Sequence, residues 1–182
     1  MTSSLAFEAI RQSLVDDESS ARMRQQGWQP LYAVSASAKI AVIGQAPGHR
    51  AQRSGVPWDD ASGEKLIDWL GVAQEQFRDP ELFAILPMDF YYPGKGTGGD
   101  LPPRKGFAER WHPPLLALMP DIRLTLLIAR YSQIHYLPSA RPGTLTDTVR
   151  NYRRFVPAQF PLVHPSPLTF RRQAINPLFV IA

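Results

Sequence analysis

Lys39-Ile40-Ala41-Val42-Ile43-Gly44-Gln45-Ala46-Pro47-Gly48 is the stretch whose reading decides the fold of this chain. Residues 39–43 (KIAVI) form an apolar run of strand length, and the run stops abruptly at a loop of Gly and Pro. A short continuous apolar run bounded by turn residues suits a strand buried on both faces. Gly and Pro behind it let backbone N–H groups approach a ligand closely while the chain stays stiff. In open α/β sheets the sites lie in the loops at the carboxyl ends of parallel strands. Three further apolar runs, residues 82–86, 124–129 and 160–163, read as strands of the same kind, and the last feeds His164-Pro165-Ser166-Pro167.

Helical patterns fall between these runs. Residues 3–26 read as a polar helix with Leu5, Phe7, Ile10, Leu14 and Val15 on its apolar side and Gly27 as its stop. Residues 62–70 read as a helix capped by Ser62 and ended by Gly71. Residues 109–119 suggest a helix interrupted at His112-Pro113-Pro114, and residues 144–155 one opened by Thr144 or Thr146. Strands alternating with helices predict an α/β fold with helices on both faces of a parallel sheet. The expected organisation is one domain over residues 1–182, with residues 1–37 as an N-terminal helical extension. Residues 87–106 are rich in Gly and Pro, a length at which a loop inside a compact domain is functional or disordered.

Composition narrows the function classes. The chain has 182 residues, 44% hydrophobic, enough for a sizeable core, and its 18 prolines are scattered rather than repeated. No apolar run approaches a membrane span, and the N-terminus lacks a basic-then-apolar signal layout, so a cytoplasmic protein is expected. Cysteine is absent, which excludes disulfides and cysteine-bound zinc or iron–sulfur clusters. The four histidines (His49, His112, His135, His164) show no metal-ligand spacing, so no metal is expected. Net charge is +4, and residues 148–182 hold five arginines (Arg150, Arg153, Arg154, Arg171, Arg172) and no acid. Such a basic run is either a solvated face or a phosphate-neutralising one, and its position on both sides of His164 points to nucleic acid.

The segment 44–62, GQAPGHRAQRSGVPWDDAS, and the string His164-Pro165-Ser166-Pro167-Leu168 together resemble the two signature loops of the uracil-DNA glycosylase superfamily. The resemblance spans about residues 38–180. It implies a three-layer α/β/α sandwich with a central, mostly parallel four-stranded sheet. It further implies a DNA N-glycosylase that hydrolyses uracil or a related damaged base, works as a monomer and needs no cofactor. The alternative is a glycosylase-fold protein that binds nucleic acid or a base without cleaving it.

Residue by residue, the resemblance assigns roles that the chemistry can carry. Trp58 matches the aromatic on which a flipped base stacks, as a base-specific enzyme requires. Without the motif it would read equally as a core or lid aromatic. Gln45 matches a base-binding position, and Ala46 stands where several branches carry the Asp or Asn that positions water. Asp60, in Asp60-Ala61-Ser62, is the expected replacement carboxylate, although Asp59 or Asp60 could also simply cap the following helix. Asp89 lies near the usual base-reading Asn and is a second base-binding candidate. His164 would steady charge on the departing base. Gly48 and Ser166 would face a DNA phosphate, Leu168 would wedge into the base stack, and Arg171 and Arg172 would contact the backbone. Tyr91-Tyr92-Pro93-Gly94-Lys95-Gly96 lacks P-loop spacing and reads as a DNA-facing or plain surface loop.

Overall fold

The computed structural model describes residues 3–138 and 144–166. Four parallel strands form the central sheet: β1 (Ile40–Ile43), β2 (Phe83–Ile85), β5 (Leu124–Ile128) and β6 (Gln159–Leu162), in spatial order β2-β1-β5-β6. The ladder runs in register through Ile40↔Phe83, Ile40↔Leu124 and Thr125↔Gln159. A two-stranded antiparallel hairpin, β3 (Lys95–Gly96) and β4 (Gly99–Asp100), stands apart from it. Pro161 sits within β6, which pairs only with β5, and an edge strand tolerates the lost donor.

Side-chain alternation sends the sheet into two cores. Ile43, Ala84, Leu86 and Leu127 face helices α1 (Ser3–Asp16), α2 (Ala21–Gln25) and α6 (Phe107–Leu116) through Leu14, Met23, Phe107, Trp111 and Leu115. Val42, Phe83, Ile85, Leu126, Ile128 and Leu162 face α4 (Ala61–Leu70) and α5 (Gln74–Arg78) through Leu66 and Phe77. The strands are thus covered on both sides, the α/β/α arrangement that continuous apolar runs require.

Several elements differ from the sequence reading, each for a local reason. The expected helix 3–26 divides at Asp17, whose side chain accepts from the Ser19 N–H and opens a short 3-10 turn, Glu18–Ser20, before α2. The helix after Trp58 is capped by Asp60, not Ser62: Asp60 Oδ1 accepts from the N–H groups of Ser62 and Gly63, both at 2.9 Å. Helix α6 passes through Pro113 and Pro114 without interruption. The carbonyls that these prolines leave without a donor, on Glu109 and Arg110, lie on an exposed turn where water can reach them. Helix α8 (Leu145–Arg150) is capped by Thr144, reciprocally with Asp147, and gives way to a 3-10 turn at Tyr152–Arg154. Helices α3 (His49–Ser54), α5 and α7 (Ala129–Tyr136) are too short to show a helical period in the sequence.

Behind the sheet's upper edge sits a buried polar cluster. Pro87 O can only accept, so His112 Nε2 donates to it at 3.0 Å, and the opposite nitrogen, Nδ1, accepts from the Tyr136 hydroxyl at 2.6 Å. Burial pushes the His112 imidazole down to about 4. The unfolded chain therefore takes up this proton before the folded one, and stability present above pH 6.5 is lost as pH falls toward 4. The expected loss is roughly 3 kcal/mol over that window, and His164, also lowered, acts in the same direction. Urea unfolding of the chain at pH 7 and pH 5 checks it; equal midpoints would show that His112 is not buried as a neutral group.

Candidate active site

A cavity of about 420 Å³ opens at the carboxyl ends of β1, β2 and β6. Its wall combines the loop after β1 (Gly44, Gln45, Ala46, Pro47, Gly48), Trp58 and Asp60, Pro87 after β2, the β3–β4 hairpin, and His164 with Ser166 after β6. The two strings singled out in the sequence therefore meet at one place, although 120 residues separate Gly44 from His164. The volume lies in the range of small-molecule sites.

Backbone bonds hold the first loop against the second strand's loop. Gly44 O accepts from Met88 N–H at 2.9 Å and Gln45 O from Asp89 N–H at 3.1 Å. The Trp58 ring lies directly over Gly44, where an added Cβ would stand 3.0 Å from Cζ2. Trp58 itself has a φ of 57°, a left-handed conformation that is strained for a bulky residue. Trp58 packs against the second core and also lines the cavity. The core and stacking readings of Trp58 are therefore compatible. Its ring centroid is 6.3 Å from that of His164.

The two oxygens of Asp60 have different surroundings. Oδ1 caps α4, as described above, and Oδ2 lies against Gly48, 3.1 Å from where a Cβ would be. Among the described residues no hydrogen bond reaches Oδ2, so it is available at the cavity wall. Burial pushes the His164 imidazole below its ordinary value, and the carboxylates of Asp60 and Asp100 oppose that shift. The outcome is a largely neutral ring near neutral pH, with acidic groups facing it across the cavity.

Two of the sequence candidates are otherwise engaged. Asp89 is fully buried and does not line the cavity; Arg104 holds it with Nε–Oδ2 at 2.7 Å and Nη2–Oδ1 at 2.8 Å, and the Tyr91 and Arg104 amides complete its shell. A carboxylate so occupied anchors residues 87–106. Gln45 lines the cavity, but its amide nitrogen donates to Leu101 O at 3.0 Å and ties the hairpin to the first loop. Leu168, Arg171 and Arg172 lie outside the described residues.

The β3–β4 hairpin brings Lys95, read from the sequence only as part of a DNA-facing or plain surface loop, and Asp100, which the sequence reading misses, to the cavity. A signal is present in Gly96-Thr97-Gly98-Gly99, a two-residue turn between glycines, which is a hairpin pattern. Among the described residues no group of three or more His, Asp or Glu side chains could hold a metal ion, and no helix is long and apolar enough to cross a membrane.

The fold and this site define an α/β protein with an aromatic, a carboxylate and an imidazole around one cavity at the sheet's carboxyl edge. The family model of the uracil DNA glycosylase superfamily matches residues 32–181, and the chain belongs to that superfamily. Membership brings a glycosylase-type function in DNA repair, with DNA as the substrate class.

Proposed function

We propose that this protein is a DNA N-glycosylase that excises uracil or a related damaged base, with Trp58, Asp60 and His164 as its working groups. The observation that carries this reading is that Trp58, Asp60 and His164 line one cavity of about 420 Å³, with the Trp58 and His164 rings 6.3 Å apart. A flipped base stacks on Trp58. As the bond between sugar and base breaks, its electron pair leaves with the base. Neutral His164 donates a hydrogen bond to the base oxygen on which that charge gathers. Asp60 offsets the positive charge on the sugar and takes up the proton that water releases as its oxygen bonds to the sugar carbon. Ala46 has no polar side chain, and in this reading Asp60 supplies the carboxylate. Incubation with uracil-containing oligonucleotides, followed by alkaline cleavage at abasic sites, tests the reading. Failure to cleave any of them would leave the chain a binding protein of the same fold.

The arginines flanking His164 belong to the same proposal as the DNA-contacting face. Replacing Arg171 and Arg172 with Ala is expected to weaken oligonucleotide binding at low salt and to lower the slope of log K against log salt by about 1–2, because fewer counterions are released. An unchanged affinity and slope would remove both residues from the footprint.

A further inference from the structure

A base-excising cavity needs a group that reads the base's hydrogen-bonding edge, and the polar groups lining this one leave few choices. Gln45 spends its amide nitrogen on Leu101 O, Asp89 is closed off by Arg104, and Ala46 is apolar. Asp60 caps a helix with one oxygen and faces Gly48 with the other. Among the described residues, and beside the Ser62 and Ser166 hydroxyls and His164, the remaining charged side chains on the wall are Lys95 and Asp100, both on the β3–β4 hairpin.

We propose that Asp100 is the specificity-determining residue of the cavity, accepting a hydrogen bond from a ring N–H of the bound base while Lys95 donates to the adjacent carbonyl. This rests on the reading that the cavity takes a base. Asp100 Oδ1 receives the Tyr92 hydroxyl at 3.4 Å and stands 3.6 Å from Lys95 Nζ. Among the described residues, Oδ2 receives no hydrogen bond. The carboxylate's Tyr92 partner is held in place from two sides. Tyr92 N–H donates to Gln52 Oε1 at 2.8 Å, and the Tyr92 ring packs against Trp28 and His49 at 5.9 and 5.4 Å. The hairpin closes around Leu101, whose N–H donates to Gly94 O at 2.9 Å and whose side chain fills the space where Gly94 and Gly96 would carry a Cβ.

The chemistry of the pair sets the ligand class. An ionised carboxylate accepts hydrogen bonds and repels carbonyls; an ammonium does the reverse. An acceptor beside a donor complements a lactam edge, N–H next to C=O. Uracil and hypoxanthine both present one. A base whose ring nitrogen carries no hydrogen there forgoes that charged hydrogen bond and sets a lone pair against the carboxylate.

The test compares uracil with 3-methyluracil, in which a methyl group replaces that N–H, each placed in a single-stranded oligonucleotide. The wild-type chain is expected to favour uracil by about 10–100-fold in kcat/KM, the worth of one charged hydrogen bond. Asp100→Ala is expected to bring that ratio near unity by losing activity on uracil, whereas Asp100→Asn, which keeps an acceptor oxygen at similar size, retains most of it. A ratio unchanged in Asp100→Ala overturns the inference. Should the wild type excise neither base, titration of tryptophan fluorescence with free uracil and free 3-methyluracil replaces the rate. A preference for uracil that Asp100→Ala abolishes then keeps the inference and refutes catalysis. Equal binding of the two bases, or none, overturns it.

Discussion

Asp60→Asn and His164→Ala are each expected to slow uracil excision by about 10²–10³-fold, the usual cost of removing one positioned polar group from such a site. Asparagine keeps the helix cap, because its side-chain oxygen can accept from the Ser62 and Gly63 amides as Asp60 Oδ1 does. The melting temperature of Asp60→Asn therefore stays close to that of the wild type while its rate falls. Asp60→Ala loses the charge and the cap together, and should cost about 1 kcal/mol of stability besides. This pair of variants separates the two oxygens' tasks, which a single substitution would confound. Because both groups act on one transition state, the double variant should lose far less than the product of the single losses. Strictly multiplicative losses would mean that Asp60 and His164 do not share a site. A full rate in Asp60→Asn would reduce Asp60 to its cap.

The two loops that build this site are legible because each follows a strand buried on both faces, and such strands announce themselves as unbroken apolar runs, one ending at Gly44 and the other at His164. What the sequence does not expose depends on contacts between distant residues or on elements too short to have a period. Strands of two residues, like β3 and β4, carry no alternation to read, so Lys95 and Asp100 look like any other residues of a long Gly-rich loop. The Asp89–Arg104 pair joins positions that nothing local connects, and a buried partner turns an apparently free carboxylate into a fixed one. At the start of α4 three residues compete for one task. Asp59, Asp60 and Ser62 are all good caps, and only the extended backbone of Asp60, with φ −158° and ψ 176°, aims its oxygen at the two amides. Once Asp60 is the cap, the neighbouring chain must turn back over the helix, and that turn is what places Trp58.

Gly63→Ala is accordingly expected to be the most damaging small substitution near the site. Gly63 lies in the first turn of α4, buried beneath Trp58, and a Cβ there would overlap the Trp58 carbonyl oxygen and stand 2.7 Å from its carbonyl carbon. Those are backbone atoms, so no rotamer change relieves the contact. Trp58 already occupies the left-handed region at φ 57°, and the caps that hold it there run through the Gly63 amide itself. Overpacking of this kind costs typically about 1–3 kcal/mol, and more where backbone must move. For a chain of this size a cost of about 3 kcal/mol lowers the melting temperature by roughly 6–12 °C. The displacement should also lift the Trp58 ring from Gly44, so excision per folded molecule, measured well below the melting temperature, is expected to fall as it would in Trp58→Ala. A variant that melts with the wild type would show that α4 and the Trp58 turn are not packed as described. One that melts early yet excises at the full rate per folded molecule would keep the packing and remove Trp58 from the base pocket.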